Sequence, residues 1–186
     1  MPTGAQLIVD ALEREGVEVA FGLPGVHNLA LWEALRESSI RLVGVRHEQA
    51  AAYAADGYAR ATGKLGVALT TTGPGAANTL GAVGEAWASR SPILVIATDI
   101  PAALRRPGVY RGVLHETTDQ AAMFGPVVKE AFTVSGARNL VQIAEHAIEW
   151  ARHPPYRPVY LGVPTDLLKH RAAAPNPRTG RGSRSL

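Results

Sequence analysis

Arg41-Leu42-Val43-Gly44-Val45-Arg46-His47-Glu48 runs directly into Gln49-Ala50-Ala51-Ala52-Tyr53-Ala54-Ala55-Asp56-Gly57-Tyr58-Ala59-Arg60. The apolar segment Leu42 to Val45 has the length and β-branched content of a buried strand, and the alanine-rich segment from Glu48 to Ala61 reads as a helix. A strand that turns into a helix within three residues is half of a βαβ unit. Its acid, Glu48, then stands at the carboxyl end of a parallel strand, where open α/β sheets bind their ligands.

The same alternation extends in both directions. Leu7, Ile8, Ala11 and Leu12 give Thr3 to Glu15 a helical face that stops at Gly16, and Val17 to Phe21 reads as a short strand. The loop Gly22-Leu23-Pro24-Gly25-Val26-His27-Asn28 leads to a helix with Leu29, Leu31, Trp32 and Leu35 on its apolar face. Downstream, Leu65 to Thr71 is a strand, Ala76 to Ser89 a helix, and Pro92 to Ala97 a strand. A polar segment, Asp99 to Thr118, precedes a short helix near Asp119 to Phe124. Ala131 to Val134 is a weaker strand, Leu140 to Arg152 a helix and Pro158 to Val163 a last strand. This order predicts an α/β fold, a parallel sheet of about six strands with helices on both faces and right-handed crossovers. The segment from Asp99 to Thr118 is longer than a passive connection, which makes it a candidate active-site or interface loop.

A chain of 186 residues, 46% hydrophobic, builds one well-buried domain. The absence of cysteine removes disulfides, thiolate metal sites and thiol nucleophiles from consideration. The sequence offers no membrane-spanning run and no secretion signal at its start, so a cytoplasmic location is expected, with neither membrane nor nucleic-acid partners. The net charge of +3 is unevenly placed. Lys169, Arg171, Arg178, Arg181 and Arg184 follow the last acid, leaving 14 basic against 16 acidic residues before them, a net of −2. Residues 1–168 are therefore expected to be the domain, and 169–186 a basic tail of linker-like or disordered composition.

Thr72-Gly73-Pro74-Gly75-Ala76-Ala77-Asn78 lies between a strand and a helix, where glycines admit close backbone approach and unpaired amides face outward. Alone it could be a tight turn with no ligand. A dinucleotide fingerprint would need a third glycine where Asn78 stands. Leu23-Pro24-Gly25 is likewise compatible with a simple turn. The three loops at 22–28, 46–48 and 72–78 nevertheless leave the same edge of the expected sheet, and together they bring an acid, two histidines and an Asn to one place.

The runs Phe21-Gly22-Leu23-Pro24-Gly25, Arg46-His47-Glu48-Gln49-Ala50-Ala51, Asp56-Gly57-Tyr58-Ala59-Arg60 and Thr72-Gly73-Pro74-Gly75-Ala76-Ala77-Asn78 resemble, in order, the N-terminal pyrimidine-binding domain of thiamine diphosphate enzymes. The resemblance is to the acetolactate synthase, benzaldehyde lyase and benzoylformate decarboxylase group, and it covers about residues 3 to 168. It implies the thiamine diphosphate-binding fold and a catalytic role for Glu48. The matching glutamate hydrogen-bonds N1′ of the cofactor's aminopyrimidine and favours the imino form, whose N4′ takes the thiazolium C2 proton. Burial in an apolar interface assists by disfavouring a bare carboxylate. Without the flanking motifs, an acid opening a helix would be read as a partner of the helix dipole.

By the same likeness Pro24, Gly25, Thr72, Gly73, Pro74 and Asn78 are expected to bind the pyrimidine, and His47 to orient its neighbours. His27 and His115 are candidate substrate contacts. Leu114-His115-Glu116-Thr117-Thr118 departs from acetolactate synthases, where Gln usually precedes the Glu, and Val26 follows Pro-Gly where a small residue is usual.

Full-length members carry a diphosphate domain whose Gly-Asp-Gly and downstream Asn hold a divalent metal. This chain has no Gly-Asp-Gly and no metal ligands of recognisable spacing. The resemblance thus implies thiamine diphosphate with Mg2+ held by another domain or subunit, a homodimer, and a 2-keto acid substrate undergoing decarboxylation or carboligation. The small-residue helix Ala50 to Ala61 is the expected contact surface. A flavin site would draw on the absent domains. The chain reads either as the N-terminal part of a longer enzyme or as one subunit of a split decarboxylase. A catalytically silent oligomerisation or regulatory domain is the alternative.

Overall fold

The computed structural model describes residues 1–106 and 108–171; the tail beyond Arg171, residues 172–186, lies outside the described residues. Six parallel strands form one sheet in the order β2-β1-β3-β4-β6-β5. They are β1 (Val19–Gly22), β2 (Arg41–Gly44), β3 (Gly66–Thr70), β4 (Ile93–Asp99), β5 (Glu130–Thr133) and β6 (Val159–Pro164). Helices α1 (Gly4–Arg14), α2 (Leu29–Arg36), α6 (Leu140–Arg152) and α7 (Thr165–Lys169) cover one face. Helices α3 (Glu48–Thr62), α4 (Pro74–Ala77) and α5 (Leu80–Ala88) lie on the other.

Alternation along the central strands builds the two cores. Val67, Leu69, Leu94, Ile96, Leu161 and Val163 point toward α1, α2 and α6, whose Leu, Ile and Val side chains fill that layer. The opposite face presents Ala68, Val95, Ala97 and Tyr160 to the alanines of α3 and α5, with Phe124 stacked on Tyr160 at 4.3 Å between ring centroids. Small residues on both sides bring α3 against β3 and α5. Local chemistry sets the ends. Thr3 and Gln6 form a reciprocal capping box on α1, and Gly63, in the left-handed region at φ 71°, closes α3.

The element order follows the sequence reading, and α6 agrees to the residue. Strand ends shift by one or two residues, and the strand expected to be buried over Leu42 to Val45 is β2 at the sheet edge, with Leu42 and Val43 half-buried and Arg41 and Gly44 exposed. Three further details differ. The helix expected over Ala76 to Ser89 is two helices, broken at Asn78 and Thr79, because the Thr79 hydroxyl donates to the Ala76 carbonyl at 2.7 Å and diverts it from the helical ladder. Asp119 to Phe124 forms turns leading into a 3-10 turn at Gly125–Val127. Asp119 Oδ1 takes the Ala122 amide, the following bonds span three residues, and Pro126 has no N–H to extend a helix. Asp99 is the last residue of β4 rather than the first of the loop, since pairing with β6 continues through Asp99↔Pro164. Among the described residues, no helix is long and apolar enough to cross a membrane.

Candidate active site

The strand order reverses direction at β1 and β3: β1 leads outward to β2 on one side, and the chain returns on the other. The crevice beyond their carboxyl ends is where a doubly wound sheet receives a ligand. The loop after β1 carries Pro24, Gly25 and His27, the loop after β3 carries Thr72 to Asn78, and the turn after β2 carries His47 and Glu48.

Glu48 opens α3 and is only 9% exposed. Asn78, on the break between α4 and α5, donates its Nδ2 to Glu48 Oε2 at 3.0 Å. Glu48 Oε1 faces Gly75, where a Cβ would stand 3.2 Å from that oxygen and 2.6 Å from Thr71 Cγ2. The carboxyl is thus held through one oxygen, while the other lies beside a residue that has no side chain to obstruct it. His47, the N-cap of α3, accepts the Gln49 amide at its Nδ1 (3.1 Å) and is exposed. It positions the first turn that carries Glu48.

The loop bearing Pro24 and Gly25 is organised by Asn28, which is wholly buried: its Oδ1 accepts from the Gly25 amide at 2.8 Å and its Nδ2 donates to the Leu23 carbonyl at 3.0 Å. Pro24 and Val26 are left at the surface. Gly73 has φ 60°, and a Cβ there would come within 2.5 Å of the His115 carbonyl oxygen, so the turn requires glycine on both counts. Pro74 follows as the first residue of α4. Thr72 is fully buried, and its hydroxyl shares a hydrogen bond with Thr98 Oγ1 at 3.0 Å.

His27 and His115 meet edge to face with centroids 5.6 Å apart. Burial pushes the His27 proton affinity down and His115 pushes it further, against a smaller pull upward from Asp99. His27 Nδ1, His115 Nδ1 and Thr71 Oγ1 are all buried without a hydrogen-bond partner among the described residues. Buried polar atoms are rarely left unpaired, and three of the five such atoms among the described residues gather around this crevice, the others being Trp32 Nε1 and Ser91 Oγ.

Gln120 is a member of this site that the sequence did not reveal. At 2% exposure, its Oε1 accepts the Gly73 amide (2.5 Å) and its Nε2 donates to the Thr98 carbonyl and the Tyr160 hydroxyl, both at 2.8 Å. It fastens the glycine turn to the sheet. Asp99, at the end of β4, is a second buried acid at this edge of the sheet, which the sequence places in the following loop.

A buried acid with one oxygen open and a side-chain-free floor at Gly75 suit a flat ring that hydrogen-bonds a carboxyl group at its edge. The chain belongs to the thiamine pyrophosphate enzyme family: the model of its N-terminal TPP-binding domain matches residues 2–123. Among curated relatives, "Probable 2-ketoarginine decarboxylase AruI" of Pseudomonas aeruginosa is 40% identical over 166 residues, 89% of this chain and 29% of that protein. The "Probable acetolactate synthase large subunit" of Methanocaldococcus jannaschii is 35% identical over 88% of this chain and 27% of its own length. The catabolic acetolactate synthase of Raoultella terrigena is 34% identical over 89% and 29%. The chain therefore spans less than a third of the length of these relatives.

Proposed function

We propose that this chain supplies the aminopyrimidine-binding half of a thiamine diphosphate site in an enzyme that decarboxylates or carboligates 2-keto acids, in the manner of acetolactate synthases. The observation that carries the reading is Glu48, buried and held by Asn78 through one oxygen, with the other open over Gly75. Family membership and the two kinds of relative, a keto acid decarboxylase and acetolactate synthases, support the reaction class.

When bound, thiamine diphosphate supplies the carbon nucleophile and electron sink that keto acid chemistry needs. Glu48 holds or shares a proton at the ring nitrogen facing its open oxygen, and Asn78 fixes the carboxyl plane. Pro24, Gly25, Thr72, Gly73 and Pro74 form this chain's share of the pocket walls around that proton. His27 and His115 lie beside the turn and contact the substrate. Mg2+ and the diphosphate are held by another domain or subunit, and residues 1–168 act as the pyrimidine domain of a homodimer. The exposed outer surface of α3, with Ala50, Tyr53 and Gly57, is part of the contact.

The test is Glu48→Gln in the assembled enzyme with thiamine diphosphate and magnesium. Loss of at least about 100-fold in 2-keto acid turnover, with an unchanged unfolding transition, is expected for removal of a working proton-transfer group. Undiminished turnover would sink the assignment.

A further inference from the structure

Beside the cofactor crevice, a second recess of about 440 Å³ opens between residues 105–106, 108–110 and 116–121 and the ends of β4 and β5. Its walls include Asp99, Arg105, Tyr110, Asp119, Gln120 and Thr133. Asp99 is its buried anchor, 7% exposed at the carboxyl end of β4. One oxygen accepts the Ile100 amide at 2.7 Å, and the other is ion-paired with Arg105. The partner comes from the surface: the Arg105 side chain is 39% exposed and follows a short 3-10 turn at Ala102–Leu104.

The pairing leaves acid in excess. Burial holds the Asp99 carboxyl above the ordinary aspartate range in spite of Arg105, and the nearby Asp119 adds to the effect. Glu116 also lines the recess, though its Oε2 is engaged by the Arg111 and Val113 amides, and Arg106 lies on the wall as a second cation. Gln120 stands between the recess and the cofactor crevice: it lines the one and holds Gly73 in the other. Asp99 is also close enough to His27 to influence its proton affinity.

A buried carboxylate is costly without a cation, and a guanidinium on a surface segment can be replaced by one carried on a ligand. We propose that Asp99 is the receptor for the cationic end, guanidinium or ammonium, of an elongated 2-keto acid whose keto end lies at the cofactor, and that Arg105 occupies this receptor when no substrate is bound. The assignment rests on the function proposed above and narrows its substrate class.

The assembled enzyme, with its diphosphate-binding part, is assayed with 5-guanidino-2-oxopentanoate and with 2-oxooctanoate, a neutral keto acid of matching length. Asp99→Asn, which keeps the shape and removes the charge, is expected to raise KM for the guanidino substrate at least about 10-fold while leaving KM for the neutral one within about twofold. Arg105→Ala is expected to lower KM for the guanidino substrate several-fold, and Asp99→Glu to restore part of the preference. Equal effects on both substrates, or no effect of either substitution, overturn the proposal. If the wild type turns over neither keto acid, the reaction class fails, and calorimetric titration with 4-guanidinobutyrate then decides the receptor alone. Binding lost in Asp99→Asn supports it, and binding absent from the wild type or retained in the variant overturns it.

Discussion

Replacing Gln120 with Leu should destabilise the fold by about 3 kcal/mol, and the figure follows from the partners left behind. Three hydrogen bonds disappear from a side chain that is 2% exposed. The Gly73 amide and the Thr98 carbonyl become buried groups without partners, at roughly 1–3 kcal/mol each, and the Tyr160 hydroxyl loses a partner worth about 1 kcal/mol. Burying the added apolar surface of Leu returns roughly 1 kcal/mol. With a urea m-value of about 2 kcal/mol/M, the unfolding midpoint followed by far-UV circular dichroism falls by about 1.5 M. Gln120→Glu is the companion variant. It keeps an acceptor for Gly73 but turns an oxygen toward the Thr98 carbonyl, so its deficit at pH 7 should equal or exceed that of Leu and shrink as the new carboxyl protonates in acid. A midpoint shift below about 0.3 M for Gln120→Leu would refute the claim that this side chain ties the glycine turn to the sheet.

His27, whose proton affinity burial lowers, binds fewer protons in the folded chain than unfolded near its ordinary value of 6.5, so its contribution to stability is lost as pH falls through that range. His27→Asn is accordingly expected to flatten the decline in urea midpoint between pH 7 and pH 5, a decline unchanged from wild type being the contrary result. Gly75→Ala brings a Cβ to 2.6 Å from Thr71 Cγ2 and should cost about 1–3 kcal/mol by overpacking. Thr71→Ser deletes that methyl and should recover part of the loss, read as a coupling energy of at least about 0.5 kcal/mol in a double-mutant cycle.

The parts of this fold that were legible in the sequence are those fixed by neighbours along the chain. Apolar runs bounded by glycine and polar residues mark the strands, and the helix read over Leu140 to Arg152 is α6, which buries Leu140, Ala144, Ala147, Ile148 and Ala151. Glu48 was found because strand, turn and helix are contiguous there. The break at Asn78 and Thr79 was not legible, since it depends on a hydroxyl choosing a carbonyl within a run that is helical by every other measure. Gln120 was hidden for a different reason: its partner Gly73 is 47 residues away, and only the packing of β4 beside β3 and β6 brings them together. Asp99 was misplaced by two residues of strand, enough to make a buried acid look like the start of a polar loop.

The distribution of satisfied and unsatisfied groups explains why such a chain would need a complement. Behind the crevice the loops are fixed by hydrogen bonds: Thr72 to Thr98 and Gly73 to Gln120 toward the sheet, and Gly25 to Asn28 within its own loop. In the crevice itself the Thr71 hydroxyl and two imidazole nitrogens lack protein partners. On the loop at its mouth, Pro24 and Val26, the latter at 75% exposure, are open. Rigid backing with polar groups unspent in front is the arrangement that preorganised ligand sites require, because the ligand then gains hydrogen bonds without reordering the protein. An exposed apolar rim, however, does not exclude water until a second surface closes over it. The proton that Glu48 would hold is therefore protected only when the other half of the site, from another domain or another chain, is in place.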